Sequence, residues 1–230
     1  MSNYLKTYYN LDKRPLSNYP ELLSEHLIDK FNIKPNSKLL DIGCGRGDLI
    51  KSFANLGLQV QGTDLDPESQ ELCAPFSVLI NNIEIDPLPI KNNSVDIVFS
   101  KSLIEHLQNP ERLLGEAFRV LKPGGRAIIM CPSWVHMGWG PFYQDHTHVT
   151  PFTKPSLRDI LKLSGFSNAE VFHFTQLPLV WKFPVFKIFC ELVRKLPIPY
   201  SPQNDVSFPL KLNKFIRFSN EIMLLGTGVK

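Results

Sequence analysis

Three glycines at alternate positions, Gly43, Gly45 and Gly47, follow Asp41 in the stretch LLDIGCGRGDL, residues 39–49. A glycine-rich turn between an apolar run and a helical pattern lets a ligand approach the backbone, because no Cβ holds it off. Three ligand classes use such turns. A phosphate-binding P-loop needs Lys followed by Ser or Thr after its last glycine, and Asp48 and Leu49 stand there instead. A dinucleotide fingerprint needs a third small residue where, counting from Gly43, this chain has Asp48, whose charge would also oppose a pyrophosphate. A nucleoside ligand carrying an ammonium group in place of phosphates, such as S-adenosylmethionine, tolerates this turn and can use the carboxylate of Asp41. Asp64, about twenty residues beyond the first glycine, stands where a carboxylate accepts from ribose hydroxyls. Asp66, before Pro67, reads as the cap of a following helix.

Two further groups carry titratable side chains. Glu105 and His106 lie in IEHL, and Asp145, His146 and His148 lie in WGPFYQDHTHVTPFTKPSL, residues 139–157. Imidazoles exchange protons near neutral pH, so His106, His146 and His148 are the candidate catalytic residues, each weighed against a role in bracing its loop. Asp145, His146 and His148 are also metal-ligand types, but alternate residues of an extended loop point apart and no fourth ligand is evident. No metal site is expected.

Positioning these groups requires a parallel sheet. Apolar runs at 38–42, 58–64, 76–82, 95–100 and 126–131 read as strands, separated by helical patterns at 18–31, 47–57 and 109–122. KPGG, residues 122–125, reads as the stop of the last of these. A helix over 153–166 and strands over 169–177 and 222–229 follow. The 230 residues carry no repeat, and the net charge of +3 is too small and too unclustered to imply nucleic acid. Four separated cysteines form no CxxC pair, which fits reduced thiols in a cytoplasmic protein, and no leader or membrane-spanning run is evident.

Four stretches in order, LLDIGCGRGDL, VQGTDLDP, PLPIKNNSVDIVFSKSLIEHL and RVLKPGGRAIIMCPS, resemble the motifs of class I S-adenosylmethionine-dependent methyltransferases over roughly residues 38–133. The EHL and NPERLLGEAFRVLKPGG segments are similar to the branch of ubiquinone-type, small-molecule and sugar O-methyltransferases. The resemblance implies an α/β fold: a doubly wound seven-stranded sheet of order 3-2-1-4-5-7-6 with strand 7 antiparallel. It implies S-adenosyl-L-methionine held by Asp41, Gly43, Cys44, Gly45, Asp64, Leu65, Asn82, Ile83 and Ser100. Asn82 stands where relatives usually carry Asp, so its Oδ1 would meet adenine without charge assistance. The DHTHVTPFT stretch is similar to one in polysaccharide- or lipid-related methyltransferases, which implies an acceptor-side role for His146 or His148.

A single domain over 1–230 is expected, with a helical cap over 1–37 and a helical insertion at 178–221 between strands 6 and 7. Trp181, Phe183, Phe186, Ile188 and Phe189 mix with Lys182, Lys187, Arg194 and Lys195 there, which suits a lid, a dimer surface or peripheral membrane contact through 178–196. The expected activity is O-methylation of a small-molecule, sugar or lipid-linked glycan acceptor. N- or C-methylation and a non-catalytic cofactor-binding subunit are the alternatives, and a nicotinamide oxidoreductase is disfavoured by Asp48. The sequence assigns no oligomeric state.

Overall fold

The computed structural model describes Leu5 and residues 15–138, 141–201 and 209–230. Parts of the expected N-terminal cap (1–4, 6–14), of the histidine loop (139–140) and of the insertion (202–208) lie outside the described residues.

Strand β1 (Lys38–Ile42) pairs in parallel with β2 (Gln59–Asp64) on one side and β4 (Val95–Lys101) on the other. Strand β3 (Val78–Ile80) extends the β2 edge, and β5 (Leu121–Pro132) continues from β4. Strand β7 (Met223–Val229) runs antiparallel between β5 and β6 (Ser167–Phe174), completing the expected order β3-β2-β1-β4-β5-β7-β6. The strand alternation divides the core between two faces. Leu40, Val98 and Ile129 face helices α4 (Pro110–Val120) and α6 (Lys154–Leu163), through Leu113, Leu114, Ala117, Leu157 and Leu161. Leu39, Ile97, Phe99 and Ile128 face α1 (Tyr19–Phe31) and α2 (Asp48–Asn55), through Leu23, Leu27 and Phe53.

Local chemistry sets the helix ends. Asn32 closes α1 in the left-handed conformation at φ 50°, and a reciprocal Thr153–Ser156 capping box opens α6. Asp66 Oδ1 accepts from the Glu68 amide at 3.1 Å, starting the short helix α3 (Glu68–Leu72). The KPGG stretch differs from expectation. Helix α4 stops at Val120, but Lys122–Gly125 already belong to β5, because Leu121 pairs with Val95 and the Lys230 amide donates to Gly125 O at 3.0 Å.

After β5 comes the short helix α5 (Trp134–Met137), and beyond β6 the insertion folds as α7 (Pro178–Lys182), α8 (Phe186–Lys195) and α9 (Leu210–Asn220). Trp181 anchors it, its ring 5.0 Å from that of His26 on α1 and its Nε1 donating to Thr175 O at 2.7 Å. Among the described residues no helix is long and apolar enough to cross a membrane.

Gly62 on β2 is a close-approach position, where a Cβ would lie 2.6 Å from Ile50 Cδ1 and 2.7 Å from Cys44 Sγ. Gly62→Ala is therefore expected to destabilise the fold by about 1–3 kcal/mol through overpacking. Urea unfolding should show a lower midpoint at unchanged slope, and an unchanged midpoint would refute this account of β2–α2 packing.

Candidate active site

The carboxyl ends of β1, β2 and β4 open into a cavity of about 590 Å³. Its floor is the glycine turn, where Gly43, Gly45 and Gly47 have φ of 78°, 53° and 77°. These values favour glycine over any residue with a Cβ. Gly43 has a second reason, since a Cβ would stand 2.9 Å from Leu103 Cδ2. The amides of Gly43 and Cys44 donate to Thr63 O at 2.8 and 3.1 Å. Asp64 Oδ2 accepts from the Gly45 amide at 2.7 Å, and its Oδ1 from the Asp66 amide at 2.9 Å.

The lining is rich in carboxylates, with Asp41, Asp48, Asp64, Asp66 and Glu84, against Arg46 and Lys101. Arg46 is committed to Asp48 through a two-pronged ion pair with Nη2–Oδ2 at 2.6 Å. Asp41 is buried, and desolvation, with repulsion from Cys73 and Asp64, holds its carboxyl well above the usual range while Lys101 pulls it down. Burial likewise raises Asp64, opposed by the amides that it accepts from. The hydrogen bond between the Cys44 and Cys73 thiols raises Cys44 and lowers Cys73, and Cys73 Sγ also reaches Gly45 O at 3.6 Å. Thr63 Oγ1, Asp66 Oδ2 and Asn81 Oδ1 are buried without a hydrogen-bond partner, and all three residues line the cavity. Acceptor oxygens and clustered negative charge suit a polyhydroxylated, cationic ligand and oppose a phosphate. S-adenosylmethionine fits this chemistry.

Of the expected cofactor residues, Asp41, Gly43, Cys44, Gly45, Asp64, Leu65, Asn82 and Ile83 all line the cavity. Asn82 Oδ1 also accepts from the Glu84 amide at 3.1 Å, which orients its side chain. Ser100 lies outside the lining: it is buried and its hydroxyl donates to Ile42 O at 2.9 Å, tying β4 to β1. Lys101, Ser102 and Leu103 reach the cavity in its place. Tyr19, Asn81 and Thr147 also line it; Tyr19 and Asn81 stand in no glycine or histidine motif, and Thr147 lies between the two histidines of its loop, which drew the reading instead.

The histidine groups, far apart in sequence, meet in space. After β4 a 3-10 turn over Ile104–His106 carries Glu105 and His106, and Glu105 O accepts from the amides of Val149 and Thr150 at 2.9 and 3.0 Å. His106 lines the cavity and its Nδ1 is 2.8 Å from Thr147 Oγ1. The His148 ring lies 4.6 Å from that of His106, while His146, on the same loop, is exposed. Burial pushes the Glu105 carboxyl up to about 8, with Lys101 drawing it down and Asp145 adding to the rise.

The fold and this cavity define a nucleoside-binding site at the carboxyl edge of a doubly wound sheet, the class of the methyltransferases. Residues 40–129 match the family model described as a methyltransferase domain. An uncharacterized methyltransferase of Mycobacterium avium is 32% identical over 108 residues, 45% of this chain and 41% of that protein. The chain spans 34–42% of the length of the first curated relatives it matches. A SAM dependent methyltransferase from Archaeoglobus fulgidus superposes with a TM-score of 0.67 at 20% identity, covering 96% of this chain and 98% of that one. Phosphoethanolamine N-methyltransferase 2 of Haemonchus contortus, solved with S-adenosyl-L-methionine, gives 0.68 at 20% identity, covering 100% of this chain and 59% of that one. Residues 40–129 thus carry the methyltransferase-domain match, and the chain as a whole shares the fold of S-adenosylmethionine-dependent methyltransferases.

Asp64→Ala removes the acceptor that shapes the floor, and S-adenosylhomocysteine affinity is expected to fall roughly ten- to a hundredfold, the worth of a hydrogen bond to a charged group. A carboxylate at Asp41 could hold an ammonium only when ionised, so a role there predicts affinity that declines as pH falls through its raised pKa. Calorimetry across that range should give a flatter profile for Asp41→Asn, and equal slopes would remove Asp41 from ammonium binding.

Proposed function

We propose that the chain transfers a methyl group to a hydroxyl oxygen of a small molecule, sugar or lipid-linked glycan. The observation that carries this reading is the shared cavity: the carboxylate-lined donor floor and His106 face the same space. S-adenosylmethionine supplies a methyl group already activated by its sulfonium, so the chain's main task is alignment. In this reading Asp41 holds the ammonium, Asp64 the ribose hydroxyls, and Asn82 and Ile83 border the adenine. The backbone at Gly43, Gly45 and Lys101 borders the sulfur side.

A hydroxyl must lose its proton to attack, whereas a neutral amine already carries its lone pair. The Glu105–His106–His148 cluster gives an acceptor wall suited to the first case. His106 is its cavity-facing member, His148 stands behind, and His146 is the outermost candidate of the same loop. The N-methyltransferase among the structural neighbours keeps nitrogen as the second reading. Turnover of labelled cofactor with cell extract, read by product mass, separates them. His106→Ala is expected to lower kcat roughly 10²–10⁴-fold with S-adenosylhomocysteine affinity unchanged. Undiminished kcat would remove the cluster from catalysis, and binding without any methyl transfer by the native chain would favour a non-catalytic subunit.

A separate observation concerns the insertion. Helix α8 exposes Ile188 (61%), Phe189 (53%) and Leu192 (54%) beside Lys187 and Lys195, and no described residue of 178–221 lines the cavity. We infer peripheral membrane contact through 178–196, which suits a lipid-linked acceptor. Co-sedimentation with anionic vesicles should be salt-sensitive and weaker for Phe189→Glu, and a native chain that stays in the supernatant at low salt would sink the idea.

A further inference from the structure

Glu105 is 1% exposed and neither of its carboxylate oxygens has a hydrogen-bond partner. A buried carboxylate left so is costly unless a proton, a cation or a hydrogen-bond donor meets it. One ligand-type atom from each of Glu105, His106 and His148 lies within 4.8 Å of the other two. Hydrogen bonds set both imidazole tautomers. His148 Nδ1 is 2.6 Å from Phe142 O, a carbonyl that only accepts, so this nitrogen carries the proton. Thr147 Oγ1 donates to Asp145 Oδ1 at 2.6 Å and therefore accepts from His106 Nδ1 at 2.8 Å. In the neutral rings Nε2 then bears the lone pair. An imidazole anchored through one nitrogen to a carbonyl, or to a carboxylate through a hydroxyl, is the outer arrangement that holds metal-ligating histidines.

We propose that Glu105, His106 and His148 bind a divalent transition-metal ion of the zinc class at the acceptor wall of the cavity. Two imidazoles and one carboxylate suit zinc, iron, cobalt or manganese and leave further coordination positions for water or an acceptor hydroxyl. Ligands about 2.0–2.2 Å from zinc stand roughly 3.3 Å from one another, a contraction that side-chain rotation supplies. The set differs from the one weighed in the sequence, since Glu105 and His106 take the places of Asp145 and His146. The loop is not extended there: the His148 amide donates to Asp145 O at 3.2 Å, turning the chain so that Thr147 and His148 face the Glu105 turn. The ion would lower the pKa of a bound hydroxyl and so perform the proton-loss role given to the cluster above. That role rests on the methyltransferase reading, whereas binding of the ion does not.

The full chain, stripped with a chelator, is titrated with Zn²⁺ against a chromophoric competitor and with Co²⁺ read by its ligand-field absorption. One equivalent of each is expected. Glu105→Gln and His148→Ala should each weaken Zn²⁺ roughly tenfold or more, and Thr147→Val, a positioning change, about tenfold. Ring-nitrogen NMR of the native chain should show two imidazoles shifting with one equivalent of Zn²⁺, which decides the matter even where a variant loses its fold. S-adenosylhomocysteine calorimetry on the same samples reports the cofactor half separately, so loss of the metal proposal and loss of the methyltransferase reading give different results. Uptake well below one equivalent, affinity unmoved by both ligand substitutions, or imidazole resonances that do not shift would each overturn the site.

Discussion

The cavity depends on one carboxylate. Asp64 ends β2 and accepts from the Gly45 amide on the neighbouring turn and the Asp66 amide on its own. Hydrogen bonds to a charged group contribute about 1.5–3 kcal/mol each when buried geometry is good. Those two bonds hold the turns after β1 and β2 at a fixed separation, and Thr63 O adds the amides of Gly43 and Cys44 from the same side. Asp41, opposite Gly62 in the β1–β2 register, is then held facing the gap. Burial disfavours the charged form of Asp64 while the amides favour it, so its charge is stabilised most when the glycine turn is closed.

The opposite wall is joined by a similar device with the polarity reversed. Here a backbone carbonyl, Glu105 O, collects two amides from the segment after the histidine loop, and Thr150 Oγ1 adds Leu107 O at 2.6 Å. The loops that follow β4 and β5 are thereby one unit. Ser102, at φ 57°, makes the sharp exit from β4, and its amide donates to Met130 O on β5 at 2.9 Å. The Glu105 side chain is driven inward by the turn that delivers its carbonyl outward to these amides, so the buried carboxylate and the loop junction have one cause.

How legible each part was follows from how local its causes are. β1 matches its expected bounds and β2 and β4 differ by one residue, because each is a short segment between unambiguous turns. Lys122–Gly125 misled because Pro and Gly mark the end of a helix whether a loop or a strand follows, and the partner that makes it a strand, Lys230, is remote. The donor floor was readable since Asp41 to Gly47 is contiguous and Asp64 lies at a family spacing. Ser100 falls outside the lining through strand alternation: its neighbours Phe99 and Lys101 line the cavity, and its own hydroxyl turns to Ile42. The Glu105–His106–His148 group was visible only as two separate clusters, because no sequence periodicity links residue 105 to residue 148.

The glycine-turn floor and the Glu105–His106–His148 wall also differ in what their charges ask of a ligand. Arg46 is already neutralised by Asp48, so the floor as a whole presents negative charge to a cationic cofactor. Lys101 stands at the border and acts on both Asp41 and Glu105, lowering the cost of ionising each. A cation held near Glu105 would itself favour that carboxylate's ionised form, as Lys101 does more weakly. An amine acceptor needs no such arrangement, since it must arrive neutral and would be kept protonated by a carboxylate-rich wall. A hydroxyl acceptor gains from it directly, because lowering the cost of its ionised form lowers the barrier to attack. A preference for oxygen therefore rests on the proposed cation and not on the carboxylates, which raise the pKa of a hydroxyl as they do that of an ammonium.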